Sequence, residues 1–483
     1  MPFAALVFLV SVGTPIVGYA QYQGVVDTDL NITKFLGMCH AAPTETRQAP
    51  ASPSNISGIQ QASSAPPQCY QGAASSNPLD PQTEDCLFLS VYSPNFNCTT
   101  ESLPTVVWIH GGDYVWGSAI EYNGTELVLE SNREVVAIVI QYRLGLFGFL
   151  AGQQVKDGGA LNAGLLDQDF ALRWINKNVH HSSAFSGDPD KVTIWGESAG
   201  AGSVLQHIVA NNGNTVPQLF RAAITSSTFV PSQYRYNDVI PQVNVLDFFG
   251  CTEPNTLDCL RALHSTSLQD INENTILGSF YGTSTFGPVV DGPFIAQSPT
   301  DALAQGLVNG DILLSVTNTD EGVIFVNQSA DFDVAQYREG EAVESVYQSV
   351  GSPLDQVNAI MGESILICPT YRLLAAFPGK SFKGEYAVPP AQHGDDIFYY
   401  FPSFSFLDDG ISFNNTAFID AFDGGFLSFV ANLNSNAKLP PTITPAWPKW
   451  SHAMNEMVFN RTELGEPSIA MAPTSQGLLS RCE

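Results

Sequence analysis

The chain has 483 residues, 44% of them hydrophobic and 14% charged, a composition that excludes a disordered polymer. Its 47 acidic and 19 basic residues give a formal charge of −28, which excludes nucleic acid and anionic membranes as partners, because both attract clusters of Lys and Arg. No internal period of roughly 20 to 50 residues is visible, so a solenoid or propeller is not expected.

Residues 1–20, MPFAALVFLVSVGTPIVGYA, are uncharged and end in small residues. They read as a secretory leader cut near Ala20, leaving one domain over residues 21–483, although the segment has no basic start. A membrane anchor is the alternative, but Gly13, Pro15 and Gly18 interrupt a run barely long enough to span, and no later segment is long and apolar enough. Sequons start at Asn31, Asn55, Asn97, Asn123, Asn327, Asn414 and Asn460, which suits an extracellular glycoprotein. Eight cysteines form an even set without a Cys-x-x-Cys pair or a companion His cluster, so disulfides are expected and a metal or other cofactor is not.

The stretch to about residue 85 is rich in Pro, Ser, Ala and Gln and reads as surface loop. Beyond it, LFLSVY, TVVWIH, VVAIVIQY, KVTIWG, AAITSS and DILLSV read as strands. These near-continuous apolar runs alternate with helical stretches, which predicts an α/β fold: a large, mostly parallel sheet with helices on both faces. Leu166, Phe170, Trp174 and Ile175 follow helical spacing and predict one covering helix over residues 162–179.

VTIWGESAGAGSV, residues 192–204, carries the sharpest chemistry. A strand enters Gly196-Glu197-Ser198-Ala199-Gly200 and small residues continue as a helix, the setting in which G-x-S-x-G presents a nucleophilic serine on a strained turn. Without that setting the same five residues would be an ordinary loop. Serine needs a base, and the base an orienting acid. Among the downstream histidines, His207 and His264 lie in helical stretches and read as packing or surface residues. His393 sits in a Gly-containing loop before an aromatic run expected to be a strand, and His452 is the fallback. Asp320 and Glu321 both follow a strand, at the carboxyl end where open α/β sheets build sites; composition does not choose between them.

EDCLFLSVYSP, DQDFALRWINKNV, GDPDKVTIWGESAGAGSV, NTDEG and HGDDI, occurring in that order, resemble the type B carboxylesterase family of cholinesterases and fungal Candida-type lipases. The similarity runs from about Gln21 to the C-terminus. It implies an α/β-hydrolase with Ser198 as nucleophile, Glu321 as acid and His393 as base, working through an acyl-enzyme. It also implies oxyanion donors at the amides of Gly112, Asp113 and Ala199, disulfides Cys69–Cys86 and Cys251–Cys259, and Cys482 as a candidate partner for Cys368, leaving Cys39 to Cys98. Ser227 and Glu197 match supporting residues of the site, or else only pack.

Four departures shape the expectation. Between Cys69 and Cys86 the family's lipases carry a long amphipathic lid, whereas this loop is short and polar. An esterase of soluble or moderately sized esters is therefore favoured over an interfacial lipase. The choline-stacking tryptophan of that loop is replaced by Ser76, so choline esters are not indicated. Cys39 stands where the family usually has proline. Asp113 replaces the third glycine of the oxyanion turn, and a carboxylate aimed inward would oppose the developing negative charge. The expectation is that its side chain turns away and is held by hydrogen bonds while its amide stays free. The family also includes catalytically inactive adhesion ectodomains, for which Asp113 would mark a lost oxyanion site.

Overall fold

The structure, a computed structural model, describes residues 14–42, 48–72, 81–94, 102–180, 185–238, 251, 256–279, 282–329, 345–405, 410–437, 442–450 and 453–483. These residues build an 11-stranded sheet. Its strands are β1 (Val25–Asp27), β2 (Ile32–Cys39), β3 (Phe88–Pro94), β4 (Leu103–Ile109), β5 (Val136–Ile140), β6 (Gly187–Glu197), β7 (Ala222–Ser226), β8 (Ile312–Asn318), β9 (Ser381–Tyr386), β10 (Asn455–Arg461) and β11 (Pro467–Pro473). The spatial order is β11-β10-β9-β8-β7-β6-β4-β5-β3-β2-β1. From β5 through β10 every neighbouring pair is parallel, and antiparallel strands finish both edges.

Side chains alternate across a strand, so a sheet covered on both faces needs apolar residues at both parities. In β4, Val107 and Ile109 enter one core while Val106 and Trp108 enter the other. In β6, Ile194 and Trp195 divide the same way. Both faces are buried, which is the doubly covered α/β architecture the sequence predicts. The covering helices include α1 (Ala163–Asn178), α2 (Ala199–Gly213, which leaves helical geometry at Ala210), α3 (Cys368–Ala375) and α4 (Thr416–Asn432).

Two expectations need correction. The stretch before residue 85 is not all surface loop, since β1 and β2 form a sheet edge there. The IFYY run after His393 is a short helix, Ile397–Tyr400, and not a strand; its rings pack inward against α4, Tyr400 stacking on Phe422 with centroids 5.4 Å apart. Val17 and Ala20, within the segment expected to be a leader, are core residues, and Trp174 Nε1 donates to the Tyr19 hydroxyl at 3.0 Å. Residues 1–13 lie outside the described residues.

Cys69 is bonded to Cys86, Cys251 to Cys259 and Cys368 to Cys482. The last bond ties the terminal helix, Gln476–Cys482, to the start of α3 across 114 residues. Among the described residues Cys39 is a free thiol, its Sγ donating to the Ala41 carbonyl at 2.9 Å. Its expected partner Cys98 lies outside the described residues, as do Ser76 and His452.

Candidate active site

The site grows from the carboxyl ends of β4, β6 and β8, where the parallel strands release their loops. β6 ends at Glu197, and α2 starts at Ala199. The one residue between them, Ser198, takes φ 54° and ψ −124°, a conformation that L-residues reach only when neighbours enforce it. Those neighbours are close. A Cβ at Gly196 would lie 2.4 Å from the Gly200 carbonyl carbon, and one at Gly200 would lie 2.0 Å from Ile109 O. Strand and helix can cross β4 at this separation only if both positions are glycine.

His393 joins Ser198 from the far end of the chain. Its Nε2 is 2.8 Å from Ser198 Oγ and its Nδ1 is 2.6 Å from Glu321 Oε2. A carboxylate only accepts, so Nδ1 carries a ring proton, and in the neutral ring Nε2 accepts from the serine hydroxyl. Glu321 is buried and its other oxygen accepts from Ser227 Oγ at 2.6 Å and from the Asn318 amide at 2.8 Å. Asp320, the alternative acid, is exposed. His207 is buried and hydrogen-bonded to Gln168 at 3.1 Å, while exposed His264 caps a helix. Neither reaches the serine.

The charge balance around the imidazole is set by burial against carboxylates. Burial alone would keep His393 neutral, but Glu197, 3.4 Å from Nε2, and Glu321 outweigh it and hold its pKa above the usual histidine range. Glu197 is itself pushed up to about 8, chiefly by burial, with His393 opposing and Asp396 and Glu321 adding. Asp396, raised to about 6 by burial, accepts from Asn318 Nδ2 at 3.0 Å and from the Tyr400 hydroxyl at 2.9 Å. Glu197 is among the supporting residues the resemblance implied, whereas Asp396 and Tyr400 were not singled out, although Asp396 lies within the quoted HGDDI. Phe325 flanks the imidazole, with ring centroids 5.1 Å apart, and it too went unflagged.

The HGGD turn lies directly over the serine. A Cβ at Gly111 would meet Glu197 O at 2.8 Å and Ser198 Cβ at 3.1 Å, and one at Gly112 would meet Trp116 O at 2.4 Å. The amides of Gly112, Asp113 and Ala199 donate to no protein acceptor among the described residues. Asp113 holds φ 55°, and its carboxylate accepts from the Ser284 hydroxyl. A cavity of about 300 Å³ bordered by Leu205, Val230, Tyr347, Arg372 and Arg481 shares no lining residue with Ser198, Glu321 or His393; the chemistry, not the cavity, locates the site.

A family model described as "Carboxylesterase family" matches residues 14–352, more than half of the chain. The chain belongs to the carboxylesterase family. It is 30% identical to a protein of Arthroderma benhamiae named secreted lipase, over 83% of this chain and 82% of that one. Over 68% of the chain, and 65% of the relative, it is 31% identical to the carboxylesterase patB of Aspergillus clavatus. Among solved structures, Aspergillus niger EstA superposes with a TM-score of 0.86 at 28% identity, covering 98% of this chain and 97% of that one. This carboxylesterase is thus a carboxylic ester hydrolase with an α/β-hydrolase fold, and the match begins at the packed segment upstream of Gln21.

Proposed function

We propose that the chain is a secreted serine esterase that cleaves soluble or moderately sized esters through an acyl-enzyme. The observation that carries this reading is the continuous relay from Ser198 Oγ to His393 Nε2, 2.8 Å, and from Nδ1 to Glu321, 2.6 Å. His393 accepts the serine proton as Oγ attacks the ester carbonyl, and the carboxylate of Glu321 stabilises the imidazolium. The tetrahedral oxyanion is met by the unpaired amides of Gly112, Asp113 and Ala199. Collapse expels the alcohol, which takes the proton from His393; water then attacks the acyl-serine, with His393 again as base, and releases the acid.

Secretion is supported by the disulfides, by the relative named secreted lipase and by the positions of the sequons, with Asn31, Asn55, Asn327 and Asn414 exposed. That relative's name also favours a second reading, a lipase. A panel of nitrophenyl esters of rising acyl length, run beside emulsified long-chain triglyceride with wild type and Ser198→Ala, separates the two. Serine-dependent turnover highest on short, dissolved esters is expected. A strong preference for emulsified triglyceride would establish the lipase, and absence of serine-dependent turnover on every ester would refute the catalytic mechanism.

A further inference from the structure

Gly112, Asp113 and Tyr114 take φ of 101°, 55° and 60°, three successive left-handed residues of which only the first is glycine. Non-glycine residues stay in that region when the surroundings over-determine them. Tyr114 is fixed by burial, its ring 4.9 Å from that of Phe149, and its carbonyl accepts from the Gly145 amide at 2.8 Å. The Gly112 carbonyl is fixed by the amides of Val115 and Trp116, at 2.9 and 2.8 Å. Among the described residues the Asp113 side chain has one hydrogen-bonded anchor, the hydroxyl of Ser284, which comes from a different part of the chain, 171 residues away. The peptide between Gly112 and Asp113 carries an amide that the mechanism needs, and among the described residues the Ser284 hydroxyl is the side-chain partner that ties Asp113.

We propose that Asp113 is a positioning residue, its carboxyl gripped by Ser284 so that the oxyanion turn is clamped to the 282–288 loop and the Asp113 amide stays over Ser198. The proposal rests on the acyl-enzyme reading for its catalytic consequence, but the clamp itself is a structural statement. An ionised acid here would work against an oxyanion. The groups that face it are Ser284, His393 and Tyr114, with Glu197 behind Gly111. Burial pushes the Asp113 carboxyl up to about 7, against the Ser284 hydrogen bond and the His393 charge, so below that pH the side chain is mostly neutral and can clamp without opposing the negative charge.

The test uses Ser284→Ala, Asp113→Ala, the double variant and Asp113→Asn, which keeps an acceptor for the Ser284 hydroxyl. Losing a whole oxyanion donor costs roughly 10²–10³ in rate, so a loosened one is expected to cost about 10- to 100-fold in kcat with KM within about twofold. Ser284→Ala and Asp113→Ala should each show that loss, the double variant should be no worse than Asp113→Ala, and Asp113→Asn should stay within about threefold of wild type. Hydrogen exchange of the peptide spanning residues 110–118 should speed up about tenfold in Ser284→Ala but not in Asp113→Asn, a readout that holds even if the enzyme turns over no ester. Wild-type exchange and kcat in Ser284→Ala would overturn the clamp, as would losses that add in the double variant or a KM effect with kcat unchanged. Loss of the Ser198 dependence alone would instead refute the acyl-enzyme reading.

Discussion

At the Ser198 turn, glycine is dictated by crowding on both sides, with prospective Cβ contacts of 2.4 Å at Gly196 and 2.0 Å at Gly200. At the adjoining oxyanion turn, crowding dictates glycine only at Gly111 and Gly112; Asp113 holds its positive φ and is tied from outside by Ser284. The two turns touch, yet one is enforced by packing and the other is partly held by a side-chain hydrogen bond. The difference explains why the serine turn can be read directly from glycine spacing, whereas the oxyanion turn tolerates a residue that breaks the pattern.

The largest expected effect is at the chemistry itself. Ser198→Ala should lower kcat by about 10⁶-fold, and His393→Ala combined with it should add little, because groups that act as one unit do not lose activity additively. Next comes the packing half of the comparison: Gly200→Ala, with its Cβ 2.0 Å from Ile109 O, should destabilise the fold by at least about 3 kcal/mol in chemical denaturation, since rigid backbone cannot yield as a side chain can. A wild-type denaturation curve for Gly200→Ala would break the claim that crowding sets this turn. Glu197→Gln is a milder change. It removes a negative charge that stabilises the imidazolium of His393, so the acid limb of kcat/KM should move to lower pH by about one unit.

The smallest effect concerns pH and stability. Asp113 is raised to about 7, so its carboxyl binds a proton in the folded state that an unfolded chain has already released near pH 4. Buried His40, His110 and His207, lowered to about 4, act in the opposite direction, but only up to the unfolded histidine value near 6.5. Between about pH 6.5 and 9 His393, raised to about 9 against burial by Glu197 and Glu321, loses its folded-state proton alongside Asp113, and thermal stability should fall as pH rises through that window. A flat melting profile would contradict this balance.

Much of this was legible because it depends on local rules. The six apolar runs became β3 to β8 because a sheet covered on both faces needs apolar residues at both parities, and the helix over residues 162–179 followed from its spacing. Ser198 was legible because its glycines are steric necessities. The choice of Glu321 over Asp320 was not available to composition: both follow β8, and only the fold buries one against His393 and exposes the other. Ser284 was invisible for a similar reason, since a serine in a polar loop carries no signal until the chain brings it to Asp113. The aromatic IFYY run misled, because its rings serve a helix facing α4 as readily as a strand.

The most direct test of the central claim is to quench the wild-type enzyme and Ser198→Ala during turnover of a slowly deacylating ester, digest them and weigh the peptides. The wild type should carry the mass of the acyl group on the peptide containing Ser198, and the variant should carry none and turn over no substrate. Undiminished hydrolysis by Ser198→Ala, or an acyl group found on another residue, would contradict the account.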